Sequence, residues 1–222
     1  MVALDITHAV AEEAIAAGCQ LIVSHHPIMN CKWSQVQTVR DDTFQGSLLT
    51  RLLRANVSAI CMHTNLDVAE GGVNDILAQA LGIRNPERFT NEGVGRCGWR
   101  AKPMALPEFV RLVSKALGCG GVRYADAGKP VHRVAVGGGA CGEFEDAAIA
   151  AGCDTYVTSD LSYHQFVDAK VKGINLIDAG HFPTENPVCE KVIAFLAERF
   201  PNLQVQISAV HKEAIQYYVE GE

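Results

Sequence analysis

A six-residue string occurs twice in the chain. Ala14-Ile15-Ala16-Ala17-Gly18-Cys19 returns letter for letter as Ala148-Ile149-Ala150-Ala151-Gly152-Cys153. Each copy reads as the end of a helix, with glycine where a left-handed backbone stops the last turn. Each is followed by a short apolar strand, Leu21-Ile22-Val23 in one case and Thr155-Tyr156-Val157 in the other. A helix–glycine–strand unit used twice points to an α/β plan with two similar halves. In the later copy a strand, His132–Val136, precedes the helix. Shifted back by the same offset, that strand ends at Val2 and lies mostly before Met1. The spacing therefore predicts that this chain lacks an N-terminal segment.

The remaining pattern alternates in the same way. Helices are predicted over Gly46–Arg54, Val73–Leu81, Pro107–Leu117, Glu143–Ala151, Leu161–Lys170 and Pro187–Phe200. Strands are predicted over Val57–Met62, Val94–Trp99, Val122–Tyr124, Val131–Val136, Thr155–Thr158, Ile174–Ile177 and Leu203–Ser208. The expected fold is α/β: two similar, duplicated α/β domains with mixed, mostly parallel sheets. The first spans 1–95, with its N-terminal strand missing. The second spans 96–222, with a middle insertion around 96–130.

Composition narrows the function. The 222 residues carry 19 Lys+Arg against 25 Asp+Glu, a net charge of −6. No basic excess or stripe suits a nucleic-acid partner. No apolar run approaches the roughly 20 residues of a membrane span, and no signal peptide opens the chain. The cysteines at 19, 31, 61, 97, 119, 141, 153 and 189 form no C-x-x-C pair. They read as reduced, mostly buried thiols of a cytoplasmic protein.

Three motifs carry chemistry. Ser24-His25-His26-Pro27 follows a buried strand, and open α/β sheets place ligands at the carboxyl ends of their strands. Neighbouring residues there point to opposite sides, so His25 and His26 can bind two metals or flank one. His63-Thr64-Asn65-Leu66-Asp67 and His181-Phe182-Pro183-Thr184-Glu185 each follow a strand and share the form His-x-x-x-acid. Each taken alone is also a capped helix start. Together, imidazole and carboxylate suit zinc, iron, nickel or manganese. Under the repeat offset, His25-His26 corresponds to Ser159-Asp160. His25, His26 and Asp160 are therefore expected to converge on a cleft between the halves, with Asp160 a ligand, a base or a partner of the ligating imidazoles. His164, one helical turn on, reads as a solvated surface histidine.

A rival signal is Val136-Gly137-Gly138-Gly139-Ala140-Cys141-Gly142, which fits a G-x-G-x-x-G dinucleotide fingerprint, with Asp160 placed as the ribose-binding acid. It fits equally a tight glycine turn packed near another site, or an anion resting on amides.

At His25-His26-Pro27, His63–Asp67 and Gly180–Glu185 the chain resembles the NIF-three-like family of dinuclear metal-binding proteins, the GTP cyclohydrolase I type 2 homologues. The resemblance runs the whole chain and includes Leu4-Asp5-Ile6-Thr7, Gly71-Gly72-Val73-Asn74-Asp75, Gly95-Arg96-Cys97-Gly98 and Thr158-Ser159-Asp160. It implies metal ligands at His25, His26, Asp67, His181 and Glu185. His63 and Asp160 would be close neighbours that move protons or support the ligands. It implies two divalent ions per chain (zinc, iron, manganese or nickel) in a cleft between two similar domains, and a toroidal homohexamer. The family's further N-terminal stretch, with an Asn-Gly-Leu type motif, is absent here. The implied activity is a metal-dependent hydrolase acting on a small molecule, a nucleotide such as GTP, with ring opening at the imidazole C8 and loss of formate. The alternatives are a non-catalytic metal-binding or regulatory protein and a dinucleotide enzyme built on Gly137–Gly142. Fold does not decide among them.

Overall fold

Both copies of the repeated string fold into the same helix stop. The first helix caps its start with Thr7, whose hydroxyl accepts the Val10 N–H at 3.2 Å. Past its end Gly18 takes φ 67°. Gly18 N–H then donates to Ile15 C=O at 3.0 Å and Cys19 N–H to Ala14 C=O at 2.9 Å. In the later copy Gly152 takes φ 77°, and the matching bonds run from Gly152 to Ile149 and from Cys153 to Ala148 at 2.8 and 3.0 Å. This reversed-turn pairing satisfies the last helix carbonyls and turns the chain into the following strand.

The computed structural model describes residues 1–29 and 39–218. Cys31 lies outside the described residues. The described cysteines are all free thiols, with Cys97, Cys153 and Cys189 buried and Cys61 exposed. No helix among the described residues is long and apolar enough to cross a membrane. The chain divides into two compact units. One takes Met1–Leu66 and Cys189–Lys212, and the other takes Asp67–Val188 with the residues from Glu213 on.

The first unit runs β1 (Val2–Ala3), α1 (His8–Ala16), β2 (Leu21–Ser24), α2 (Phe44–Arg54) and β3 (Ser58–Cys61). The strands pair in parallel in the order β1-β2-β3. Val10, Ala11 and Ala14 of α1 pack with Leu48 and Leu52 of α2 and Ile22 of β2 in one buried cluster. α3 (Thr64–Val68) follows β3 and carries the chain into the second unit. α9 (Val188–Arg199) leads back to the first. The strand expected over 203–208 is reduced to a single bridge between Ile207 and Val2. Its ladder stops because the Ala209 N–H donates to the Glu13 carboxylate at 2.9 Å instead of to a strand.

The second unit runs α4 (Val73–Ala80), β4 (Arg84–Glu87), β5 (Arg96–Met104), α5 (Leu106–Leu117), β6 (Arg123–Ala125), β7 (Val131–Val136), α6 (Glu145–Ala150), β8 (Thr155–Thr158), α7 (Tyr163–Lys172), β9 (Asn175–Asp178) and α8 (His181–Glu185). Its sheet has the order β4-β5-β7-β8-β9-β6. β7, β8 and β9 are parallel, while β4, β5 and β6 join antiparallel. Position 95, the expected boundary, falls between β4 and β5, which pair at Glu87 and Cys97. Side chains on β7 alternate between two cores, as the period of a strand requires. Val134 and Val136 join Phe109, Val113 and Leu77, whereas Ala135 joins Tyr156, Ala148 and Leu176. The strand–helix–strand–helix–strand order with parallel pairing thus occurs within each unit.

Candidate metal centre

Parallel strands end on one edge, so the residues that follow them emerge side by side. In the first unit these are Asp5 after β1, His25 and His26 after β2, and His63 after β3. Each of the three imidazoles offers one nitrogen, and these atoms lie within 4.8 Å of one another. The His25 ring centre is 4.9 Å from that of His26 and 5.1 Å from that of His63. His25 is buried, and its Nδ1 lies 2.8 Å from the Met62 carbonyl oxygen. A carbonyl only accepts, so Nδ1 carries the hydrogen, and in the neutral imidazole the lone pair is on Nε2. His26 Nδ1 lies 2.7 Å from Asp5 Oδ1, which fixes the same tautomer. Burial opposes the charge on Asp5, but hydrogen bonds with His211 and His26 outweigh it and hold this carboxyl well below its usual range. His211 Nε2 is 3.0 Å from Asp5 Oδ2.

In the second unit Gly180, at φ 88°, turns the chain from β9 into α8. His181 and Glu185 stand one turn apart on that helix, with Nε2 and Oε2 at 3.1 Å. His181 Nδ1 lies 2.5 Å from Asp160 Oδ2. Asp160 follows β8 in a left-handed backbone, φ 55°, that few non-glycine residues adopt. The hydrogen bond to buried Glu185 is the largest influence on His181; with Asp160 it overcomes burial and raises the imidazole to about 9. A proton here does part of what a divalent cation would do, setting one positive charge between two carboxylates. One carboxylate oxygen of Asp67 also lies within 4.8 Å of one from Glu185. Two such groups so close favour a bound cation.

The glycine loop makes room for this cluster. Gly139 has φ 67°, and a Cβ there would stand 2.0 Å from Glu185 Oε1 and 3.2 Å from His181 Nε2. Four of the loop's amides already have protein acceptors, which argues against a dinucleotide fingerprint. Gly137 N–H donates to Val157 C=O, and Gly138 N–H to Asn74 Oδ1 at 2.9 Å. Gly139 N–H donates to Thr184 Oγ1 at 3.0 Å, and Cys141 N–H to Thr158 Oγ1 at 3.2 Å. Asp160, cast in that reading as the ribose acid, is held on His181 instead.

Every candidate from the sequence therefore falls in one of two sets. His25, His26 and His63 meet in the first unit. Asp67, Asp160, His181 and Glu185 gather in the second. His164 is exposed, and its ring lies 5.6 Å from that of Tyr163, centre to centre. Asp5, Asn74, Thr184 and His211 carry no site signal of their own in the sequence, whereas Gly139 lies in the glycine motif that reads as a turn packed near another site. The strand-end rule reaches Asp5, since it follows β1 as His25 follows β2. His211 is 206 positions from Asp5, and no local signal connects them. The donors are imidazole nitrogens and carboxylate oxygens, with tautomers fixed and space left by a glycine. Such a set fits a borderline divalent ion such as zinc, manganese or iron.

A family profile described as Duf34/NIF3 (NGG1p interacting factor 3) matches residues 1–214. A Clostridium perfringens protein named GTP cyclohydrolase 1 type 2 homolog is 34% identical over 206 residues, covering 90% of this chain and 78% of its own. A Nostoc protein of the same name is 33% identical over 228 residues, covering 99% and 85%. Among solved structures, Staphylococcus aureus protein SA1388 matches with a TM-score of 0.86 at 26% identity, over 98% of this chain and 86% of its own. Reduced HcgD from Methanocaldococcus jannaschii matches with a TM-score of 0.76 at 26% identity, over 93% and 80%.

Proposed function

The chain belongs to the Duf34/NIF3 family, and from that premise we propose that it is a metal-dependent hydrolase. In this reading His25, His26, Asp67, His181 and Glu185 hold two divalent cations. The substrate is a small molecule with a hydrolysable C–N or phosphate bond, and GTP is the first candidate because relatives are named for it. The observation that carries the reading is the treatment of the imidazoles. His25, His26 and His181 each have Nδ1 engaged by an internal acceptor: the Met62 carbonyl, Asp5 and Asp160. That support aims Nε2 and raises its basicity, and it is characteristic of metal-ligating histidine.

When bound, divalent ions supply Lewis acidity and lower the pKa of water towards neutrality. The chain's own residues do the rest. Asp67 and Glu185 balance the cationic charge. Asp160 orients His181 and can accept a proton as the reaction proceeds. His63, exposed beside His25 and His26, is placed to pass a proton to solvent. A net charge of −6 suits a diffusible substrate better than a nucleic acid.

The test is elemental analysis of untagged protein purified without chelator, followed by assay of GTP for formate release. About two metals per chain and metal-dependent formate are expected of a dinuclear hydrolase. Absence of metal after reconstitution with zinc, iron or manganese overturns the reading. Metal without formate release removes GTP as the substrate, and metal without turnover of any hydrolysable C–N or phosphate compound confines the protein to a binding role.

A pH window adds a second check. With its pKa raised to about 9, His181 is protonated at neutral pH in the cation-free protein, so a metal must displace that proton. Ordinary imidazoles are already neutral above about pH 7.5. Apparent metal affinity is therefore expected to go on rising from pH 7.5 until about 9, with proton release seen by calorimetry in buffers of different ionisation enthalpy. A flat affinity across that range contradicts this role for His181.

A further inference from the structure

One buried side chain links two segments that carry acidic ligands in the second unit. Asn74, in the first turn of α4, is fully buried. Its Nδ2 donates to the Asp67 backbone carbonyl at 3.0 Å. Its Oδ1 accepts the Gly138 N–H at 2.9 Å. Gly138 and Gly139 form the wall against α8. A Cβ on Gly138 would meet Glu185 Cγ at 3.5 Å, and Gly139 leaves no space at all beside Glu185 Oε1. Gly139 N–H also holds Thr184, the residue before Glu185. A shift of Asn74 therefore moves the Asp67 backbone and the wall behind Glu185 together.

We propose that Asn74 is a positioning residue that sets the distance between the Asp67 and Glu185 carboxylates. The inference rests on the metal reading above. A primary amide suits this task because one group donates to a carbonyl and accepts from an amide at fixed separation. Both bonds lie in the interior, where losing a partner strands a buried backbone group. Neither of the two carboxylates is touched by Asn74, so its effect is on geometry rather than on charge.

The test uses cobalt(II) as the probe and compares Asn74→Leu with Asn175→Leu. Asn175 is an equally buried asparagine of the same unit. It too accepts a backbone N–H, from Ala127, and donates to a backbone carbonyl, of Lys129, each at 3.0 Å. The two variants are matched in burial and in the backbone bonds lost, and Asn175→Leu gives up one bond more, from Nδ2 to Thr155 Oγ1 at 3.1 Å, which makes it the harsher control for stability. Asn74→Leu is expected to raise the cobalt dissociation constant about 10–100-fold, as loss of a ligand's support does, and to change the visible absorption of the bound cobalt. Asn175→Leu is expected to lower the melting temperature of the cation-free protein comparably, with wild-type affinity and spectrum. Asn74→Ala removes the same two bonds without adding bulk or charge, and it covers the case in which the leucine variant does not fold. Its expected affinity is lowered as in Asn74→Leu.

Wild-type affinity and spectrum in the Asn74 variants overturn the proposal. Equal losses in Asn175→Leu overturn it as well, since the effect is then general destabilisation. If wild-type protein itself binds no cobalt, the metal reading fails first and this inference falls with it.

Discussion

Replacing Asp67 and Glu185 together by alanine is expected to leave the chain without metal. Two of the five proposed ligands disappear, and they are the two that carry negative charge. Imidazoles alone coordinate a divalent ion without neutralising it, so the remaining set of His25, His26 and His181 loses the charge balance that a carboxylate supplies. Elemental analysis is expected to fall from about two ions per chain to background, the content of a dinuclear site against none. Far-UV circular dichroism is expected to stay as in wild type. The Asp67 carbonyl that Asn74 holds is retained, and buried Glu185 gives up a charge rather than a packing apolar group. Undiminished metal in the double variant assigns the ions to other residues. Loss of the circular dichroism signal assigns the two carboxylates a role in folding.

Gly139→Ala is expected to weaken metal binding by at least about 100-fold, the upper end of what disturbed ligand support produces. The new methyl would stand 2.0 Å from Glu185 Oε1, well inside contact distance. The loop has little freedom to retreat. Its amides are tied to Asn74 and Thr184, and Ser159 N–H donates to the Gly139 carbonyl at 3.1 Å. The carboxylate must therefore leave its place. A left-handed backbone adds roughly 1–2 kcal/mol of strain for any residue with a Cβ. Gly18→Ala separates the two effects, because Gly18 has the same φ of 67° with nothing within 4 Å of its added Cβ. That control is expected to lose stability while keeping full metal affinity, read by competition with a chromogenic chelator. Equal affinities in the two alanine variants contradict the close approach of loop and Glu185.

The parts of this fold visible in the sequence are those with a periodic or punctuated signal. The repeated Ala-Ile-Ala-Ala-Gly-Cys string marks a helix stop twice, since its glycine and its small residues perform the same hydrogen bonding in both places. β4 was hidden because Arg84-Asn85-Pro86-Glu87 is polar, contains proline and lies exposed at the sheet edge. α8 is legible only as a helix start, because Pro183 sits inside its five residues, which is permitted only in a first turn, where no intrahelical N–H bond is lost. The strand expected at 203–208 had apolar alternation but met a glutamate side chain where its next partner strand should be.

The site divides along the same line. Candidate donors at strand ends are legible one at a time: local motifs mark His25, His26, His63, Asp67, His181 and Glu185, and the repeat offset adds Asp160. The supports Asp5, Asn74 and His211 are not legible, because they act through contacts across long stretches of chain. The glycine motif is legible as a tight turn packed near another site, but not which of its two uses applies. Its spacing specifies a tight turn, while the use of its amides depends on Asn74 and Thr184, far away in sequence.

Residue 160 has a short alphabet. Its backbone, at φ 55°, admits glycine, asparagine and aspartate with little strain and penalises the rest. Glycine would keep the turn but leave His181 without its acceptor. Asparagine would keep the acceptor but not the charge. Glutamate, the conservative exchange anywhere else, would restore the charge and strain the turn. Conformation and chemistry thus restrict the position independently, and aspartate alone meets both demands.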